Sequence, residues 1–234
     1  MLDSYVDHFV IVESIFTHKG DKRELKFDIN KFSKFKNKII YLIFKNEPRE
    51  IEQVFQNDSE DEKSRKLIFN AYFRENGQRN YITKALDAAL NDDLILISDV
   101  DEIPNLENIN LDNLNKEIIL FKQDMFYYKF NLKLPNFIWS GTKGCKKKYL
   151  KSPQWLRNIK DKKYSFFRLD TFFSEKKFIN LKFVENGGWH FTNIKSPEEI
   201  EYKLKSYLHH REFDISPMTT DEIKDIIKNR QAIY

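Results

Sequence analysis

Apolar residues in this chain gather into short unbroken blocks, each closed by polar or charged positions. His8-Phe9-Val10-Ile11-Val12-Glu13-Ser14, Lys38-Ile39-Ile40-Tyr41-Leu42-Ile43-Phe44 and Leu94-Ile95-Leu96-Ile97 are rich in β-branched and aliphatic residues. Such blocks predict strands covered on both faces. Between the second and third, Ser59 and Glu62 have capping-box spacing and open a helix towards Phe73, with Leu67, Ile68, Ala71 and Tyr72 at helical intervals. Asn76-Gly77 reads as a break, after which a second helix over 78–90 places Ile82, Ala85, Leu86 and Ala89 on one face. Strand, strand, helices and strand in this order predict an α/β domain with a mixed, mainly parallel central sheet flanked by helices.

The second half has a different texture. Segments 117–121, 124–134, 164–169 and 178–184 predict strands, the first two rich in aromatics, and 141–149 is basic and punctuated by glycine. Gly187-Gly188-Trp189-His190-Phe191 predicts a tight passage where the backbone can approach a ligand closely. Ser196-Pro197-Glu198-Glu199 opens a helix with an N-cap and a proline at its first position. A last helix is expected from about Thr220 to Asn229. No repeat, linker or low-complexity segment marks a second domain, so 1–234 is expected to form one.

The third strand runs into Ser98-Asp99-Val100-Asp101-Glu102-Ile103-Pro104. Carboxylates at the C-terminal end of a buried strand lie where open α/β sheets place their ligands. Asp99 and Asp101 would point to opposite sides of a regular strand. If the strand yields to a turn there, one can reach a metal and the other a sugar or ribose hydroxyl. A solvated acidic turn, with Glu102 capping a following helix, is the plain alternative.

Composition narrows the field. With 234 residues, 41% hydrophobic and 15% aromatic, the chain can bury a substantial core and is not of disordered composition. A net charge of +4 within a 32% charged fraction does not call for nucleic acid, although it suits a phosphate-bearing ligand. The single cysteine, Cys145, excludes an internal disulfide and a cysteine-built zinc site. No apolar run approaches the roughly 18 residues of a transmembrane helix and no signal peptide follows Met1, which together predict a cytoplasmic protein.

Several segments together resemble the family 17 glycosyltransferases, the family of the bisecting β-1,4-mannosyl-glycoprotein 4-β-N-acetylglucosaminyltransferases. They are residues 8–14 with Thr17-His18-Lys19-Gly20, then Gln78-Arg79-Asn80, the Ser98 to Pro104 run, Gly141-Thr142-Lys143, Gly188-Trp189-His190-Phe191, and 203–210. The Asp-Val-Asp-Glu-Ile-Pro run combined with a downstream Gly-Trp-His is the most specific part. The resemblance implies a GT-A-like fold, a nucleotide-sugar donor such as UDP-N-acetylglucosamine, a saccharide acceptor, Mn2+ or Mg2+, and inversion at the anomeric carbon. Against the family pattern, a strand and helix expected ahead of Tyr5 are missing, and a His-x-Glu pattern is met only by His210-Arg211-Glu212, one residue out of step.

On that resemblance, Asp101 is the first metal ligand, Asp99 serves the ribose or a metal-bound water, and His190 is a third ligand. Lys143, Lys203 and Lys205 would neutralise a diphosphate, and Arg79 would contact nucleotide or phosphate. Glu185 is the expected general base, with Glu102 and Glu212 as rivals. Trp139, Trp189, Tyr127 and Tyr128 offer faces for sugars. Two other readings compete. An Asp-x-Asp phosphatase would want a threonine where Glu102-Ile103-Pro104 stands. A degenerate transferase that only binds glycan or nucleotide would show no metal-dependent donor hydrolysis.

Overall fold

A computed structural model describes residues 1–107, 109, 118–165, 167–171 and 173–233. The chain is mixed α/β, and its contacts divide it into two compact units, each built from separate stretches. One comprises Asp7–Ala85 with Lys195–Tyr234, the other Met1–Val6 with Leu86–Ile194. Among the described residues, no helix is long and apolar enough to cross a membrane.

In the first of these units, β1 (Phe9–Ser14) and β2 (Ile39–Phe44) pair in parallel, with Phe9 opposite Ile39 and Ser14 opposite Phe44. Glu13, buried on β1, accepts from the backbone N–H of Lys26 and Phe27, from Arg23 and from the Tyr41 hydroxyl, all within 2.7–3.0 Å. This buried carboxylate therefore fastens the 23–27 segment to both strands. The loop after β1 turns at Gly20, whose φ of +115° only glycine adopts readily, while Arg74 donates to the carbonyls of His18 and Lys19.

Helix α1 (Glu60–Asn80) opens on Ser59, whose hydroxyl accepts from the N–H of Glu62. The expected break at Asn76-Gly77 does not occur. A Cβ on Gly77 would stand 3.0 Å from the Phe44 ring and 3.1 Å from Pro48, so this glycine permits close packing inside a continuous helix. The second helix expected over 78–90 is replaced by the end of α1 and a 3-10 segment, Tyr81–Ala85.

In the other unit the strands are β3 (Leu94–Ile97), β4 (Glu102–Pro104), β5 (Ile118–Tyr127), β6 (Lys133–Lys146), β7 (Leu181–Val184) and β8 (Gly188–Thr192). They form one sheet in the order β3-β6-β5-β8-β4, with β7 beside the first half of β5. This sheet is mixed, which corrects the expectation of a mainly parallel core: β3–β6, β5–β6 and β4–β8 are antiparallel, β5–β7 and β5–β8 parallel. The cause is the connection between β5 and β6. Tyr127 N–H donates to the Leu132 carbonyl and Tyr128 takes a positive φ, a tight turn that can join only antiparallel neighbours.

Strand β5 is the core, with Ile118, Ile119, Leu120 and Phe121 at most 1% exposed. Leu106, Phe121, Ile119 and Val184 cluster with Leu2, Val6, Leu94 and Leu96 around it. The glycine-punctuated basic segment is the second half of β6. Its glycines admit neighbours: a Cβ on Gly141 would fall 1.6 Å from Gln123 Oε1, and one on Gly144 2.6 Å from Leu96 Cδ2. The Gly187-Gly188 passage is likewise tight against protein. A Cβ on Gly188 would meet the Ile103 carbonyl at 2.1 Å, so the close approach is to β4.

Two further expectations shift, and one helix is new. The strand proposed to start at Glu117 has its first residue outside the described ones and is observed from Ile118. Segment 164–169 forms no strand among its described residues; it leads into a 3-10 turn at Leu169–Thr171, and Phe167 is largely exposed. A helix the sequence reading passed over, α2 (Pro153–Asn158), is capped by the Ser152 hydroxyl. The remaining helices, α3 (Pro197–Ser206), α4 (His210–Ile215) and α5 (Thr220–Lys228), belong to the unit of β1 and β2. Ser196 with Glu199 and Thr219 with Glu222 form reciprocal capping boxes on α3 and α5.

Candidate active site

Strand β3 ends at Ile97 and the chain turns before β4, with the Glu102 N–H donating to the Asp99 carbonyl at 3.0 Å. The turn frees the two aspartates from strand alternation. Asp101 faces His190 on β8, whose Nε2 lies 3.4 Å from the carboxylate, and its backbone carbonyl accepts from Phe191 at 2.9 Å. Asp99 instead meets Arg157 of α2 at 2.8 Å. Pro104 closes β4 on the sheet's edge, where its missing N–H costs no ladder bond.

Beneath the turn, Glu102 is an organiser. Its side chain is fully enclosed, and its two oxygens accept Arg157 Nη1 and Nη2 in a fork, Trp139 Nε1, and the Asp99 N–H, all at 2.8–2.9 Å. Arg157 also donates to the Gly141 carbonyl at 2.5 Å. A planar guanidinium suits this bidentate role where a lysine would not. The Trp139 ring, fixed by its bond to Glu102, lies 5.1 Å from the His190 ring and 6.5 Å from that of Phe137. Thr142 continues the polar layer with a 2.7 Å hydroxyl contact to Ser98 and a backbone N–H given to Gln123.

Lys143 is buried. Its Nζ donates to the carbonyls of Arg157 and Ile159 at 2.6 and 2.5 Å, where α2 ends. Its charge thus goes to orphan helix carbonyls and to holding the Arg157 segment in place. Burial, reinforced by the Arg157 guanidinium, pushes its pKa down to about 8. The unfolded chain then binds this proton more tightly than the folded one between pH 8 and 10.5, so stability contributed by Lys143 rises with pH across that window. Chemical unfolding of the wild type and of Lys143→Met is expected to show the gap between them moving in favour of the wild type by up to about 3 kcal/mol from pH 8 to 10.5.

The structure thus brings Asp99, Asp101, Glu102, Trp139, Lys143 and His190 together, and adds Arg157. It does not bring Glu185 to Asp101. Glu185 is exposed in the turn that leads through Asn186 and Gly187 to Gly188, which pairs with Pro104, while Asp101 adjoins the Glu102–His190 end of the same ladder. Arg79 and Lys203 belong to the other unit. Arg79 sits in the last turn of α1 with Glu75 at 2.9 Å, and Lys203 is half-buried on α3. Glu212 is on α4 of that unit, against His209. Cys145 is buried on β6 and its thiol is pushed up to about 12 by that burial, far from reactive. Arg157 escaped the sequence reading. The Ser152-Pro153 pair, the same start signal as Ser196-Pro197, would have located its helix.

For a metal, the donor set is a carboxylate and an imidazole. Among the described residues, no three His, Cys, Asp or Glu side chains converge into a metal cage. Two protein ligands suffice for Mg2+ or Mn2+ when substrate phosphates supply the other oxygens. His190 has a buried Nδ1 without a partner, so its ring is not locked by a hydrogen bond on that side. Asp101 and His190 fit a divalent cation of this kind.

No curated protein and no solved structure gives a significant match to the chain. The model of Glycosyltransferase family 17 matches residues 1–234, its full length. The chain belongs to glycosyltransferase family 17, a family of sugar-transferring enzymes.

Proposed function

We propose that this protein transfers a sugar, N-acetylglucosamine on the family's precedent, from a UDP-linked donor to a saccharide acceptor, with inversion and with a divalent metal. The observation that carries this reading is the meeting of Asp101 and His190 at the turn after β3. A bound Mn2+ or Mg2+ supplies Lewis-acid neutralisation of the departing nucleoside diphosphate. Asp101 and His190 would hold it. Asp99, kept in place by Arg157, would serve the ribose or a water of that ion, and a GT-A-like arrangement would put the donor's phosphates here.

Glu102 positions the site through Arg157 and Trp139. Four donors occupy its oxygens, leaving neither free to face an acceptor hydroxyl. Inversion needs a base within hydrogen-bond reach of the acceptor hydroxyl. Glu185 keeps that assignment only if the acceptor reaches the Pro104 end of the β4–β8 ladder.

Hydrolysis of a panel of UDP- and GDP-sugars, with Mn2+ and with chelator, tests the reading. Turnover of one UDP-sugar that stops on chelation is the expected result. Turnover indifferent to chelation would remove the metal, and donor binding without any turnover would favour a glycan- or nucleotide-binding protein descended from a transferase.

A further inference from the structure

The sheet unit contains a cavity of about 780 Å3 whose wall includes Phe137, Trp139, Ser140, Lys143 and Tyr164. Among the described residues lining it, Lys143, Lys160, Lys162, Arg168 and Lys177 face only one carboxylate, Asp161. That carboxylate is drawn to Lys122 at 3.0 Å, and Arg168 and Lys177 share Asp170. Lys160 and Lys162 have no carboxylate partner among the described residues. Ser140 adds a buried hydroxyl with no hydrogen-bond partner. The volume suits a ligand of one to a few sugar rings.

Trp139 links this cavity to the carboxylate cluster. Its indole N–H is tied to Glu102, its ring packs near His190, and it also lines the cavity beside Phe137. A sugar stacked on these aromatic faces would lie next to the Asp101–His190 pair. The cavity's excess of positive charge selects what that sugar carries.

Resting on the transferase reading above, we propose that this cavity is the acceptor subsite and takes an anionic saccharide, one bearing a phosphoryl or carboxylate group that Lys160 and Lys162 recognise. A neutral sugar would gain the stacking but leave the lysines without a counter-charge. The donor's diphosphate is assigned to the Asp101 side, where Asp101 and His190 would hold a cation.

Calorimetry on the full chain tests this with N-acetylglucosamine 6-phosphate, glucuronic acid, neutral N-acetylglucosamine, inorganic phosphate and UDP as probes. The anionic sugars are expected to bind at least tenfold more tightly than the neutral one. This preference should weaken with salt, fall at least tenfold in Lys160→Glu/Lys162→Glu, and survive in Asp101→Ala. Both lysines are exposed, so the double variant keeps its fold. Equal binding of neutral and anionic sugars, or an unchanged double variant, would overturn the proposal. So would inorganic phosphate binding as well as the sugar phosphate, which marks a mere anion site. UDP displacing the sugar phosphate and weakening equally in the double variant would reassign the cavity to the donor. Failure of the transferase reading shows separately, as absent donor turnover in a wild type that still binds the anionic sugars.

Discussion

Asp101→Ala is expected to lower kcat/KM for sugar transfer by about a thousandfold, the rate equivalent of the ~4 kcal/mol that a metal-held diphosphate gains in the transition state. The fold should stay intact. The Asp101 side chain is partly exposed, its contact to His190 is 3.4 Å long, and the hydrogen bond from Phe191 goes to its backbone, which alanine retains. A part-exposed pair of this kind contributes at most about 1 kcal/mol. Steady-state kinetics beside a thermal melt separates the two effects. A variant that melts like the wild type and still turns over at the wild-type rate would sink the proposed site.

Glu102→Ala should act in the opposite way, through stability. It removes the carboxylate that accepts both Arg157 nitrogens, the Trp139 N–H and the Asp99 N–H, and leaves a nearly buried guanidinium with Asp99 and the Gly141 carbonyl. Breaking a buried pair from one side costs about 3–5 kcal/mol, a large share of the roughly 5–15 kcal/mol that holds a domain together. Denaturant unfolding is expected to show that loss. Glu102→Leu combined with Arg157→Met should lose less than Glu102→Ala alone, since neither charge is stranded. A cost below about 1 kcal/mol for the single variant would mean the cluster is not held as described.

The elements most legible in the sequence were those with local causes. The apolar blocks became β1, β2 and β3 to within a residue at each described end, and Ser59 and Ser196 cap the helices that follow them. The turn that lets Asp99 and Asp101 diverge was open in the sequence only as a condition, and Pro104 does not set it: the proline lies beyond the turn, at the end of β4. What escaped was set by tertiary contact. Gly77 looks like a breaker until Phe44 and Pro48 are found against it, and the glycine-punctuated 141–149 segment shows its strand only once Gln123 and Leu96 are seen pressing on Gly141 and Gly144. Sheet direction was misjudged because the 128–132 turn, not helical crossovers, sets the relation of β5 to β6. In the site, Glu102 and Arg157 are 55 residues apart in sequence, a spacing with no periodic signature. Glu102 could therefore be read as a cap or a base, and only its four donors identify it as a positioning residue.

On the proposed function, Asp101 and His190 hold a cation that binds the donor's diphosphate. Titration of UDP into the protein with Mn2+, and again with chelator, tests it most directly when repeated on Asp101→Ala and His190→Ala. Binding is expected to require Mn2+ and to fall at least thirtyfold in both variants while their folds are unchanged. UDP binding of equal strength with chelator present, or undiminished in Asp101→Ala, would contradict it.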